Sequence, residues 1–371
     1  MTPFTIAIPQ ADVDDLRARL RATRFPAALD SVGWSYGIDD AFIRNFTGYW
    51  AERYDWRAAE ARLNGFAQFM EEIEGTSVHF VHVRGRGETN VPLLLTNGWP
   101  SNFVELLPLV PLLTEPQDGV AFDVVIPSLP GYGFSSQPRA PGMNLSRIAE
   151  TWSELMTRLN YPRFLVSGSD MGAGAEMMLV KNRPGRLLGA HYINVFAGFP
   201  PPEKPSPEEA EYLSANGAWS MEEGAYAMLQ GTKPATLAVG LNDSPAGLAA
   251  WILEKFNGWS DNGGDLANAF DLDDLCTLLS VYWFTGTIGS SVRLYREAFA
   301  DPGFMAPTPH HAVPHAILLP PADHPAPRAW GERHLQNIVR WTELDAGGHF
   351  PALEVPEALA HDIRAFYLQI A

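Results

Sequence analysis

The sequence predicts an α/β protein: a mostly parallel sheet flanked by helices, carrying a helical insertion and a helical or meandering N-terminal extension. Three observations lead there. Short apolar runs recur at 91–96 (VPLLLT), 122–127 (FDVVIP), 163–168 (RFLVSG), 190–195 (AHYINV) and 315–320 (HAILLP). Amphipathic stretches such as LSRIAETWSELMTRL (145–159) separate them, the alternation a parallel sheet requires because each crossover needs a helix. Between about 198 and 305 the alternation stops, and helix-like segments such as AGLAAWILEKF and DDLCTLLSVYWF follow one another.

Taken in order, residues 1–75 read as an extension wrapping the core. ADVDDLRARLRAT has apolar positions at helical spacing with Asp12 as its N-cap, and the aromatics of DDAFIRNFTGYWAERYDW read as packing. From Ser77 the period changes, and SVHFVHVRG alternates. Residues 76–197 then form the first part of the core and 198–305 a helical cap. Residues 306–371 form the second part of the core, with strand-like runs at 313–320 and 337–344 and a final helix from about Pro356 to Ala371. One large core with an insertion suits a chain of 371 residues.

Composition narrows the function. With 26 Lys plus Arg against 43 Asp plus Glu the net charge is −17, so a phosphate backbone is repelled and no nucleic-acid partner is expected. Cys276 is the only cysteine, which excludes an intrachain disulfide or a cysteine metal cluster and fits a reducing cytoplasm. The first residues lack a basic region followed by an apolar run, and no apolar stretch reaches roughly 18 residues. Neither a secretory leader nor a membrane span is expected. His79 and His82 are three apart on a predicted strand and face opposite sides, while His310, His311 and His315 lie in or beside a Pro-rich loop. No metal site is expected.

The stretch FLVSGSDMGAGAEMMLV (164–180) carries the most chemistry. A nucleophile held on a sharp strand-to-helix turn needs small residues two places before and after it. Asp170 has Gly168 and Gly172 there, whereas Ser169 has Ser167 and Met171. The nucleophile would be a carboxylate and the intermediate an alkyl ester; the other reading of Asp170 is a cap for the helix that follows. Releasing such an ester needs a base, and His349 sits in the Gly-rich stretch DAGGHFPALEVPE. Nucleophile, acid and late histidine is the α/β-hydrolase order. Asp323, just past the run ending at Pro320, is preferred as the orienting acid over Glu343 and Asp345, which are nearer in sequence but not at the preceding strand's end. Backbone N–H groups of Met171 and of Trp99, in TNGWPSN (96–102), can form an oxyanion hole; seen alone, that loop is an ordinary Gly/Pro turn.

With these residues in view the chain resembles the epoxide hydrolases of the microsomal type, within the α/β-hydrolase fold. The resemblance covers nearly the whole length: IAIPQADVDDLRARLRATRFP, PLLLTNGWPSNFVELLPLVPLLT, FDVVIPSLPGYGFSSQP, the SGSDMG elbow, TKPATLAVGLNDSPAGLAAWILEKF, YWFTGTIGSSVRLYREA and GGHFPALEVPEALAHDIRAF. It implies Asp170 as nucleophile, His349 as base and Asp323 as orienting acid. It also implies two cap tyrosines, Tyr226 and Tyr295, that donate to the oxirane oxygen. Three positions depart from the family pattern. Asn97 stands where His is usual, Met171 where Trp is common, and the stretch from Asp323 to Trp330 is one residue shorter. The apolar membrane anchor of some members has no counterpart in the N-terminal stretch.

The expected activity is therefore hydrolysis of an apolar, aromatic or polycyclic epoxide to a vicinal diol, in detoxification or natural-product tailoring. Trp99, Met171, Tyr226 and Tyr295 would line the substrate site, with water as co-substrate and no cofactor. A dehalogenase of the haloalkane type shares the carboxylate and the histidine, but the Met171 side chain lacks the N–H donor that a Trp there would supply. A non-catalytic or cyclising member of the fold is the remaining alternative. Oligomeric state is open, a homodimer included.

Overall fold

The computed structural model describes residues 1–196, 199–304 and 306–371; the expected cap boundaries at 197/198 and 305/306 lie outside the described residues. Among the described residues, nine strands form one sheet: β1 (Thr2–Phe4), β2 (Gln68–Ile73), β3 (Thr76–Val83), β4 (Asn90–Thr96), β5 (Ala121–Pro127), β6 (Phe164–Gly168), β7 (Leu187–Ile193), β8 (His315–Leu319) and β9 (Ile338–Glu343). Their spatial order is β1-β2-β3-β5-β4-β6-β7-β8-β9. Pairing is antiparallel from β1 to β5 and parallel from β5 onward. The inner parallel strands are buried on both faces, which is why β6 and β8 read as short apolar runs rather than alternating ones, whereas the edge strand β9 is only partly buried. The fold is an α/β-hydrolase fold.

The N-terminal region differs from the sequence expectation in two ways. It contributes strands β1 and β2, so the sheet begins before the Ser77 alternation; β2 has a mixed burial pattern, which hides it from a period-2 search. The first helix starts at Gln10 with Pro9 in the cap position, and Asp12 lies inside the first turn. There its charge meets the positive end of the helix dipole instead of capping a free N–H.

The aromatics of this region do pack inward. Trp50 donates its indole N–H to Ser280 Oγ (3.0 Å), the Tyr54 and Thr277 hydroxyls meet at 2.9 Å, and Trp56 packs edge-on against Phe284. All three contacts fall on one helix, Leu272–Thr285, in the stretch between β7 and β8 where the described residues hold helices and no strand. That helix in turn holds the loop after β4. The Tyr282 hydroxyl donates to the Ser101 carbonyl (2.7 Å), and Asn102 Nδ2 donates to the Leu278 carbonyl (3.1 Å).

At the carboxyl end of β6 the chain turns sharply into helix Asp170–Asn182, and Asp170 has φ +50°. A left-handed non-glycine residue is strained and needs a surrounding structure that over-determines it. Part of that support is a close approach of helix to strand end: a Cβ on Gly172 would lie 2.4 Å from the Thr96 carbonyl oxygen and 2.6 Å from that of Asn97. Both neighbours are backbone and cannot swing aside. Gly172→Ala should therefore destabilise the protein by about 1–3 kcal/mol. Gly217→Ala, in an exposed helical position with nothing within 4 Å, should stabilise it by about 0.5–1 kcal/mol. Urea unfolding midpoints of the two variants, moving in opposite directions from the parent, check this.

Candidate active site

The turn after β6, the loop after β4, the loop after β8 and the loop after β9 meet at the carboxyl edge of the sheet. Asp170 is at their centre. Its Oδ1 accepts the Trp99 N–H at 2.9 Å, and the Met171 N–H also bonds the carboxylate. A Cβ at position 98 would sit 2.1 Å from that same Oδ1, so the Trp99 N–H reaches the carboxylate because residue 98 is glycine. The helix-capping reading of Asp170 does not describe this geometry: the cap position is Ser169, and Asp170 takes an N–H from a different strand's loop. Asn97 uses its buried amide on the adjacent Gly98 carbonyl (3.0 Å), away from the carboxylate.

His349 faces Asp170 from the loop after β9. Its Nδ1 is 2.8 Å from Asp323 Oδ1 and its Nε2 is 3.9 Å from Asp170 Oδ2. The first is a hydrogen bond that fixes the ring; the second is an ion-pair distance that leaves Nε2 without a hydrogen bond among the described residues. Glu343 and Asp345 are exposed, and neither is the partner of the imidazole. The histidine loop is pinned from behind: the His349 N–H donates to the Trp259 carbonyl (2.8 Å) and the Gly347 N–H to Asp261 Oδ2 (3.0 Å). Asp323 is pinned as well. Asn194, just past β7, donates its amide to the Asp323 carbonyl and to Asp323 Oδ2 (3.2 Å).

The electrostatics of the three groups are coupled. Burial pushes Asp170 up from the usual carboxylate range, opposed by the His349 charge and by the Met171 and Trp99 N–H groups. For His349, burial acts downward, but Asp323, Asp170 and Glu105 outweigh it and hold the imidazole up at about 9. At neutral pH the imidazole therefore rests as imidazolium, facing the Asp170 carboxyl group.

The two tyrosines come from the helical stretch between β7 and β8. Tyr226, in helix Ala225–Thr232, stacks on Trp99 with centroids 5.3 Å apart. Tyr295, in helix Ile288–Phe299, meets Trp99 edge-on at 5.9 Å and Tyr226 at 5.7 Å. The Tyr295 hydroxyl is buried with no hydrogen-bond partner among the described residues. Burial pushes both phenols up, with the Asp170 charge adding to it, so both keep their protons at neutral pH. Met171 is half-buried and packs against the core.

Sequence reasoning missed three residues. Trp259 contacts Tyr226, His349 and Trp99 at centroid distances of 5.0, 5.2 and 6.2 Å. Glu105 is 2% exposed and its carboxyl is pushed up to about 7 by burial; an acid inside the apolar run FVELLPLV was the available signal. Asn194 has φ +62°, an unusual backbone for a residue ending a strand, but nothing in AHYINV marks it. Three of the histidines set aside as metal ligands have other partners: His79 lies between Ser128 Oγ and Gln68 Oε1 (both 2.9 Å), His82 at the Tyr161 hydroxyl, and His315 at the Gln336 carbonyl.

Comparison with known proteins accords with this arrangement. Residues 1–106 match the family model described as epoxide hydrolase N terminus, and residues 91–264 match that of the alpha/beta hydrolase fold. The chain is 41% identical over 382 residues to a Stigmatella aurantiaca protein named for the same family, covering 100% of this chain and 85% of the other. It is 33% identical to epoxide hydrolase 1 of Sus scrofa, covering 98% of this chain and 88% of that one. The solved structure of Aspergillus niger epoxide hydrolase superposes with a TM-score of 0.88 at 31% identity, covering 100% and 96% of the two chains. Fold, whole-length similarity and the N-terminal match agree: the chain belongs to the epoxide hydrolases of the microsomal type.

Proposed function

We propose that this epoxide hydrolase works through an ester of Asp170 on an apolar, aromatic or polycyclic epoxide. The observation that carries the reading is the division of labour between the two carboxylate oxygens. Oδ1 is held by the Trp99 N–H, while Oδ2 faces His349 at 3.9 Å and is the free nucleophile. Oδ2 attacks a ring carbon, and the oxygen of the opening ring takes a proton from the Tyr226 and Tyr295 pair. The phenol is reprotonated at the expense of the imidazolium. Ester formation has by then cancelled the Asp170 charge, one of the groups holding His349 up, so the imidazole gives up its proton more readily. Neutral His349 then deprotonates water, which attacks the ester carbon. The oxyanion develops on Oδ1, already aimed at the Trp99 and Met171 N–H groups. Collapse releases the diol and restores carboxylate and imidazolium, so protons balance over the cycle. The aromatic surround of Trp99, Trp259, Tyr226 and Tyr295 supports the substrate class; such a substrate suits detoxification or natural-product tailoring.

Single turnover of styrene oxide by excess enzyme in heavy-oxygen water tests the nucleophile. Diol with ordinary oxygen at the attacked carbon is the expected result; labelled diol would mean direct attack by water. His349→Ala should accumulate a covalent adduct visible as a mass increase, and Asp170→Ala should form none. Tyr226→Phe and Tyr295→Phe should each slow ring opening while leaving the thermal midpoint near that of the parent.

The charge logic fixes a pH response. Ester hydrolysis needs the neutral imidazole, so its rate should rise with pH along a limb set by His349. Asp323 raises that group, so Asp323→Asn should move the limb to lower pH while slowing hydrolysis about 10²-fold through loss of orientation. Ester decay followed across pH in single turnovers checks both; a limb that moves upward would remove His349 as the titrating base.

A further inference from the structure

The helical stretch between β7 and β8 buries a cation beside one of the two tyrosines. Lys255, in helix Pro245–Trp259, is 5% exposed. Its Nζ lies 5.0 Å from the centroid of the Tyr226 ring and 5.8 Å from that of Trp259. Two carboxylates meet the charge: Glu254 Oε2 at 2.6 Å and Glu223 Oε2 at 3.6 Å. Glu254 is the adjacent residue on the same helix, but Glu223 is not local. It ends helix Pro207–Glu223, and only Gly224 and Ala225 separate it from Tyr226. Lys255 thus grips the short turn that leads into Tyr226 from both ends, by an ion pair on one side and by a cation on the aromatic ring on the other.

Taking an ammonium out of water is costly, and a buried pair adds little stability over a well-packed apolar substitute. Its effect is on geometry. Tyr226 already has Trp99 stacked against it and Trp259 beside it, but those are apolar contacts that let a ring slide. With its charge met by two carboxylates, Lys255 does not make the phenol a stronger acid, and Tyr226 remains raised.

We propose that Lys255 is a positioning residue for ring opening: bound to Glu223 and seated on the Tyr226 ring, it fixes the 223–226 turn and the direction of the Tyr226 hydroxyl. The proposal rests on the reading of Tyr226 as a proton donor. It predicts an effect confined to ester formation, although Lys255 also touches Trp259, whose carbonyl and ring support His349.

The test separates the two steps in single turnovers of styrene oxide, following ester formation and ester decay by quenched-flow mass measurement. Lys255→Met should slow ester formation about 10-fold and leave decay within about 2-fold of the parent. Lys255→Arg, which keeps charge and reach, should recover most of the lost rate. In a Tyr226→Phe background Lys255→Met should cost nothing further, because the group it positions is gone. Equal slowing of both steps, slowing of decay alone, an undiminished loss in the Tyr226→Phe background, or an unaffected Lys255→Met alongside a slow Tyr226→Phe would each overturn the proposal. A Tyr226→Phe variant that forms ester at the parent rate would remove the donor reading itself and this inference with it. Should Lys255→Met fail to fold, Glu223→Gln loosens the same turn with the lysine in place and carries the same expectation for ester formation.

Discussion

A carboxylate kept largely out of bulk water is the constraint on which the rest of the structure depends. Burial by itself favours the uncharged form of Asp170. Two backbone N–H groups and an imidazolium keep it charged, and each of these imposes a demand elsewhere. The N–H of Trp99 can arrive only over a glycine at 98. The N–H of Met171 is presented because the chain reverses within one strained residue, and that reversal needs helix and strand end to touch at Gly172. The imidazolium needs Asp323, and Asp323 needs the amide of Asn194 to set its loop. Five strand-end segments from the same edge of the sheet are thereby tied to one side chain, which is where a parallel sheet gathers its strand ends.

The same electrostatics make the site self-timing in the proposed cycle. While the carboxylate is free, the imidazole is held protonated and cannot act prematurely as a base; once the carboxylate is esterified, one of the charges holding that proton is gone. Glu105 adds to this balance from below, as a buried acid poised near neutrality beside the pair. It is a group whose ionisation changes how firmly His349 keeps its proton.

Much of this was legible in the sequence. The inner parallel strands were, because burial on both faces leaves short apolar runs. The strand-helix turn was, because steric demand at Gly168 and Gly172 leaves a spacing signature around Asp170 that no other residue of the turn shares. The antiparallel edge was not: β2 is only partly buried, so its apolar pattern is broken, and β1 is three residues long. The supporting residues escaped for a different reason. Trp259, Asn194 and Lys255 act through contacts to side chains and carbonyls that are distant in sequence, and a single chain of letters carries no mark of a partner it meets only after folding. The Asp12 expectation failed on a local detail, since Pro9 starts that helix earlier than a capping rule would.

The contacts between the N-terminal helices and helix Leu272–Thr285 bear on the order in which the protein can be assembled. Trp50 and Tyr54 wait for partners more than 200 positions further along the chain, and the loop carrying Trp99 is held through Ser101 and Asn102 by that same late helix. His349 is made later still. During synthesis the first aromatic surfaces therefore stay uncovered for most of the chain's emergence, and the loop carrying Trp99 lacks those holding contacts until the helices between β7 and β8 have joined it. High contact order of this kind slows folding and lengthens the exposure of apolar surface. An incomplete chain of this protein is thus a species with open hydrophobic faces and no formed site, and its yield in a cell depends on how well that interval is shielded from association.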